Sequence, residues 1–207
     1  MTTVGRWSPN KVRARVLDGT WVSAEELGGM VLLTPTSIAY TGTSASIGTN
    51  GSVTFTAVSS LSLNGVFDAT YDNYMVVWNT SNTGTTSGFY GRLRASGTDA
   101  TGATDYTRQV LTADSTTVAG SRQSINYFIM GFAYGVLRVG YSMNVYGPYL
   151  AQPTAMRSVS ASDSSSARIY DVASTHNQST SYDGLTWYSS TSQSHTGSMS
   201  VYGLVGA

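Results

Sequence analysis

Apolar and polar residues alternate along this chain in short stretches, separated by Gly, Asn, Asp and Pro. From Val53 onward the alternation is regular. Val53 and Phe55 interleave with Thr54 and Thr56, and Leu61 and Leu63 run into Asn64-Gly65, a strong turn dipeptide. A β-branched and aromatic run, Tyr74 to Trp78, lies between Asp72-Asn73 and Asn79 to Gly84. Phe89 to Ala95 alternates strictly, which puts Phe89, Gly91, Leu93 and Ala95 on one face of a strand and Tyr90, Arg92 and Arg94 on the other. Residues 97 to 105 read as a loop from which Tyr106 to Leu111 returns. Ile125 to Phe132 and Val136 to Tyr146 flank Ala133-Tyr134-Gly135, and the second of them, with Leu137, Val139, Tyr141, Met143 and Val145 on one face, is the clearest strand. Pro148 and Pro153 forbid a central strand at GPYLAQP, so a crossing connection is predicted there. Short strands follow near Ala155 to Ser160, Ala167 to Val172, Leu185 to Ser189 and Ser198 to Leu204. About nine or ten strands at roughly 8 to 15-residue spacing predict an all-β fold, an antiparallel β-sandwich of jelly-roll type.

The first 52 residues follow a different pattern. Lys11 to Val16 alternates, Asp18-Gly19 supplies a turn and Trp21-Val22 resumes an extended run, which reads as a short hairpin. Ser23 to Leu27 could form one helical turn before Gly28-Gly29 stops it. A segment this small cannot bury Trp7 and Trp21 by itself. Residues 1 to 29 are therefore expected to be an attachment segment, with Trp7 and Trp21 anchoring it on a larger assembly. Residues 30 to 52 mix one apolar tetrapeptide with Thr, Ser, Gly and Pro and read as an extended connector. The head domain is placed at residues 53 to 207.

Composition sharpens the class. Charged residues make up 11% of the chain, against about 25% in ordinary soluble domains. Glu is absent after Glu26 and Lys11 is the only Lys, so helices are expected to be scarce. A net charge of +0 carries no electrostatic footprint for nucleic acid or an anionic membrane surface. Cysteine is absent, which excludes disulfides and thiolate metal sites. The N-terminus lacks the apolar core of a signal peptide, and the longest apolar run, Met30 to Leu33, is far too short to span a membrane. Synthesis in the cytoplasm without a signal peptide is the expectation.

Candidate chemistry is sparse. His176 and His195 sit in polar Ser/Thr/Gln segments without a third ligand at zinc spacing, and are expected to be solvated or hydrogen-bonded loop residues. No Gly-x-Ser-x-Gly opens a helix. Glycoside hydrolysis needs two carboxyls about 5 to 9.5 Å apart. Every acid of the head domain is an Asp, and most of them, including Asp68, Asp72 and Asp183, stand in turn contexts where Asp caps backbone amides. Asp99 and Asp105 could supply part of a Ca²⁺ oxygen shell, although a mobile hairpin loop is the simpler reading. No cofactor is implied. Aromatic residues carry the stronger signal. The chain has 14 Tyr against 5 Phe, and Tyr and Trp present rigid area with a polar handle, useful against sugar rings. Tyr182, Trp187 and Tyr188, grouped around Asp183-Gly184, are the candidates for glycan contact, with strand packing as the alternative use. Arg92 and Arg94 are expected to be paired surface or inter-subunit residues.

Five segments carry a family resemblance: LNGVFDATYDNY (63 to 74), GRLRASGTDATGATDYT (91 to 107), GPYLAQPT (147 to 154), TSYDGLTWYSS (180 to 190) and TGSMSVYGLV (196 to 205). In order and approximate spacing they resemble the C-terminal module of tail-fibre or minor tail proteins from bacteriophages of Gram-positive hosts, over roughly residues 50 to 207. The resemblance implies a non-enzymatic virion protein that mediates host-surface attachment. It also implies a symmetric homotrimer, joined to other tail or baseplate proteins and meeting a host glycan or glycopolymer. Capsid or collar decoration, a stand-alone lectin and a capsule-degrading enzyme are the alternatives.

Overall fold

The computed structural model describes residues 29–82, 87–133, 138–162 and 168–206. Trp7 and Trp21, the hairpin and helical turn expected near them, and Asp163 lie outside the described residues. Within them, fourteen strands run in the order β1 (Met30–Leu33), β2 (Ser37–Ile47), β3 (Val53–Asn64), β4 (Asn73–Asn82), β5 (Ser87–Ala95), β6 (Thr98–Asp99), β7 (Tyr106–Asp114), β8 (Thr117–Ile125), β9 (Phe128–Ala133), β10 (Val139–Tyr146), β11 (Thr154–Ser162), β12 (Arg168–His176), β13 (Gly184–Ser189) and β14 (His195–Leu204). All pairings are antiparallel. No helix occurs among the described residues, so none there is long and apolar enough to cross a membrane. The sheet follows β6-β5-β13-β3-β14-β4-β10-β11-β12-β7-β8, with β1 on β14, β2 on β3 and β9 on β5.

This single sheet curls into a sandwich because β3 serves two leaves. One edge of β3 pairs with β2; on the other, Ser60 to Leu63 pair with β13 while Val53 to Val58 pair with β14. A bulge bends the strand between those two halves. Ala57 takes a left-handed φ of 49° next to Val58, the partner of Gly42, and a Cβ on Gly42 would lie 2.2 Å from the Ala57 carbonyl oxygen, so only glycine fits. From β3, the leaf of β13, β5 and β9 folds over the leaf of β14, β4, β10, β11, β12 and β7.

The core lies between the leaves. Phe89 on β5 meets Tyr141 on β10 edge-on at 5.2 Å, and Trp78 on β4 stacks on Tyr141 at 4.6 Å. The faces inferred from alternation hold where they are described: Phe89, Gly91 and Leu93 are buried and Ala95 packs on the core partly buried, while Tyr90, Arg92 and Arg94 are partly exposed, and Val139, Tyr141, Met143 and Val145 all point inward; Leu137 lies outside the described residues. Gly91 leaves room for the Phe128 ring, whose atoms would sit 2.4 Å from an added Cβ. A smaller cluster of Val110, Ile129, Tyr170 and Val172 fills the space where the β12–β7 end curls around the far side of β9.

Four expectations about the fold change. GPYLAQP is the loop of a hairpin between the neighbouring strands β10 and β11, not a crossing connection. Residues 30 to 52 are not a connector outside the domain. β1 and β2 are strands of the sheet, and Val31, Leu33, Ile38, Ala45 and Ile47 pack on the core, which supplies the cover a Ser/Thr-rich segment needs. Asn64-Gly65 does turn the chain, Gly65 having a φ of 64°, but Asn64 pairs with Ser37 and the chain leaves toward Asp183, whose carbonyl accepts the amides of Val66 and Phe67. Ile125 ends β8 rather than beginning β9; β7 and β8 form a hairpin closed by Ser115 and Thr116, with Ser115 at a φ of 54°.

Candidate functional site

The outer face of the β5–β13 leaf carries a cluster of rings and guanidinium groups. Register sets it: Tyr90 lies opposite Tyr188, which lies opposite Ser60, and Arg92 lies opposite Thr186, which lies opposite Ser62. Because strand neighbours share a face, these side chains form two adjoining rows on the face away from the main core, where Tyr90 and Tyr127 also pack on the smaller cluster of Val110, Ile129, Tyr170 and Val172. Tyr90 stacks on Tyr127 with ring centroids 4.0 Å apart, and Tyr188 stands edge-on to both, at 5.8 Å and 6.4 Å. The Arg92 guanidinium covers the Tyr188 ring at 4.8 Å, and its Nε donates to the Asn126 carbonyl at 3.2 Å. Arg108 reaches across from β7 to the Tyr127 ring at 5.2 Å and donates to the Gln123 side chain. The cluster thus sits where the curled β7–β8 end meets the β5–β13 leaf. All five side chains are half-buried. Burial, followed by the contact with Tyr90, pushes the Tyr127 hydroxyl up to about 12; burial also raises Tyr188, against the nearby Arg92 charge. Both phenols are neutral donors at ordinary pH.

Arg94, next along the strand, is organised differently. Its Nη1 donates to Asp99 Oδ1 at 2.5 Å, to Thr186 Oγ1 at 2.6 Å and to Ser62 Oγ at 2.8 Å, and its Nε donates to Asn64 Oδ1 at 3.0 Å. Thr186 also donates to Asp99 Oδ1 at 2.7 Å. A type I′-like Ser96-Gly97 turn, both residues at positive φ, brings Asp99 back over Arg94. Asp99 is therefore held by a cation and a hydroxyl. Asp105 lies elsewhere, accepting from Gln178 at 3.2 Å and standing 4.0 Å from His176 Nε2. Among the described residues no group of three His, Cys, Asp or Glu could hold a metal. Asp68 behaves as expected of a turn residue, accepting the Thr70 amide at 2.7 Å.

Of the three aromatic candidates, only Tyr188 belongs to the outer cluster. Tyr182 and Trp187 are 3% and 1% exposed, and the surface contact expected of them is corrected to core packing. Trp187 faces inward from the same strand, 5.4 Å from Phe55, 5.3 Å from Phe89 and 6.0 Å from His195. Tyr182 covers His176, with its hydroxyl 3.3 Å from Nε2. Both histidines are fully buried rather than loop residues. Burial lowers His176, partly opposed by Asp105, and pushes His195 down to about 4; neither ring nitrogen of His195 has a hydrogen-bond partner among the described residues. The strict alternation of Tyr90, Arg92 and Arg94 was the signal for the outer cluster; nothing local marked Tyr127 and Arg108 as its other members.

A second surface, on the outer face of β14, β4, β10 and β11, forms a groove of about 490 Å³ lined by Val77, Asn79, Ser142, Val159, Ser198, Ser200 and Tyr202 among others. Among the described residues no carboxylate lines it. The nearest acid in register, Asp171 opposite Val159, is bound to Arg157 at 2.5 Å.

No protein-family model matches the chain, and no curated protein matches it. Solved structures similar to it include the binding domain of botulinum neurotoxin serotype G, at 8% identity and a TM-score of 0.22, covering 86% of this chain and 44% of that one. A glycosyl hydrolase family protein from Mycobacterium fortuitum has 8% identity and a TM-score of 0.26, covering 82% and 94%. An endo-β-1,3-glucanase from Pyrococcus furiosus has 7% identity and a TM-score of 0.27, covering 82% and 75%. Scores this low do not establish a shared fold. The chain spans less than half of the toxin domain.

Proposed function

We propose that this chain is a non-enzymatic virion protein, a tail-fibre or tail-tip component whose β-sandwich holds a glycan of the host surface. The observation that carries the reading is the Tyr90–Tyr127–Tyr188 cluster with Arg92, a partly exposed aromatic surface in which strand register sets Tyr90, Tyr188 and Arg92 and ring stacking sets Tyr127. Rings held this way lose little conformational freedom when a sugar ring packs on them. The reading joins that surface to the five segments that resemble phage tail modules. The engagement of Asp99 by Arg94 and Thr186, and of Asp171 by Arg157, supports binding over hydrolysis. In this reading Trp7 and Trp21 attach residues 1 to 29 to the tail, and three copies present their clusters together, raising avidity by about 10² or more.

The test is adsorption of labelled full-length protein to purified cell walls from a panel of Gram-positive bacteria, with reducing ends assayed in parallel. Saturable adsorption to some walls, sharply reduced in Tyr188→Ala without release of sugar fragments, is the expected result. Failure to adsorb to any wall, or release of fragments, would overturn the reading.

A further inference from the structure

The charge of the outer cluster specifies more than a sugar. The chain as a whole has a net charge of +0, yet two guanidinium groups, Arg92 over Tyr188 and Arg108 over Tyr127, meet the same cluster of rings, while Asp99 lies in the neighbouring network of Arg94. Asp99 is committed to Arg94. Among the described residues no carboxylate stands within ion-pair distance of Arg92 or Arg108. Beyond the single bond from its Nε, Arg92 makes no hydrogen bond with a described residue, so its terminal N–H groups are available as a planar fork. A guanidinium that covers a ring face at 4.8 Å is also held in place, so little freedom is lost when it takes an anion.

Resting on the proposed glycan reading, we propose that the cluster is selective for an anionic glycopolymer. A sugar or polyol unit lies against Tyr188, its carboxylate or phosphate is bound by Arg92, and Arg108 attracts the next charge along the chain. Neutral polymers of the same backbone lack the second half of this recognition.

Two anionic probes and one neutral probe separate the possibilities: polygalacturonate, poly(glycerol phosphate) and fully methyl-esterified polygalacturonan, each titrated calorimetrically into the full-length protein. Binding of at least one anionic probe, about ten-fold or more tighter than the neutral one and weakened as salt rises from 50 to 500 mM, is expected. Which anionic probe binds tells carboxylate from phosphate. Arg92→Gln should lose about ten-fold in affinity for that probe, Arg92→Lys should lose less, and Arg122→Gln, on the exposed β8 strand, should bind as wild type. The salt dependence of the wild type carries the test should Arg92→Gln fold poorly. Equal binding of neutral and anionic probes, still lost in Tyr188→Ala, would refute the charge selectivity while leaving the glycan reading standing. Binding of none of the three, with no adsorption to cell walls, would sink both.

Discussion

Trp187 and Tyr188 are neighbours on β13, and the two faces of the leaf they belong to put aromatic rings to opposite uses. Inward, Trp187 meets Phe55, Phe89 and His195, whose ring nitrogens have no hydrogen-bond partner among the described residues, and all four side chains are buried. Outward, Tyr188 meets two tyrosines and the Arg92 guanidinium, and water reaches the edges. The rings are similar in size. What differs is the third partner: apolar strands of the second leaf on one side, cations and solvent on the other. The inner face should therefore control stability and the outer face recognition, and each expectation can be broken separately.

The largest effect is expected inside. Trp187→Ala should destabilise the fold by about 3–5 kcal/mol, since it leaves a cavity beneath Phe55 and Phe89; urea denaturation measures it, and a loss under about 1 kcal/mol would mean that the inner face is not packed as described. Acid comes next. The folded state holds His195 at about 4, below the ordinary value near 6.5, so the unfolded chain binds the proton more tightly. Stability is then full above about pH 6.5 and falls as the pH drops toward 4, by about 3 kcal/mol in all, with His176 shifted in the same direction. Denaturation midpoints at pH 7 and 4.5 should show this slope in the wild type and a shallower one in His195→Leu; parallel slopes would contradict the assignment.

Smaller effects belong outside. Tyr188→Ala should cost about 1 kcal/mol of stability while reducing adsorption to cell walls about ten-fold. The reverse pattern, a large stability loss with unchanged adsorption, would make the outer cluster a second core. The smallest effect is expected in the groove of the other leaf. Val77→Thr, at a side chain already 38% exposed, should change stability by no more than about 0.5 kcal/mol and leave adsorption unaltered. Lost adsorption in that variant would transfer the binding surface to the groove.

How much of this the sequence disclosed depended on whether the deciding contacts were local. Alternation alone placed Tyr90, Arg92 and Arg94 opposite Phe89 and Leu93, because the period of a strand is intrinsic to the backbone. The same period separates Trp187 from Tyr188, but which of them faces inward follows from the register with Leu61 and Gly91, and those residues are more than 90 positions away. β8, with the sequence TVAGSRQSI, has neither a buried face nor clear alternation; it is a strand because β7 offers it an edge. β2 was obscured for a similar reason, since its Ser and Thr become strand residues beside β3. The histidines read as solvated or hydrogen-bonded loop residues from their neighbours in sequence; Trp187 and Tyr182 are near them in the chain, but the rings that complete their cover, Phe89 on His195 and Tyr106 on His176, come from distant strands.

The double partnership of β3 also governs when the fold can form. Its outer half-edges wait for β13 and β14, and β14 is itself the strand on which β1 and β4 close. During synthesis the strands from Met30 to Asn82 emerge long before Gly184 to Leu204, so these partners are missing for most of translation. Nearly every stabilising pairing in that region joins distant parts of the chain, which places folding in the slow, millisecond-to-second class. A nascent chain stopped short of His195 should remain sensitive to protease, and one that includes Leu204 should become resistant in a single step.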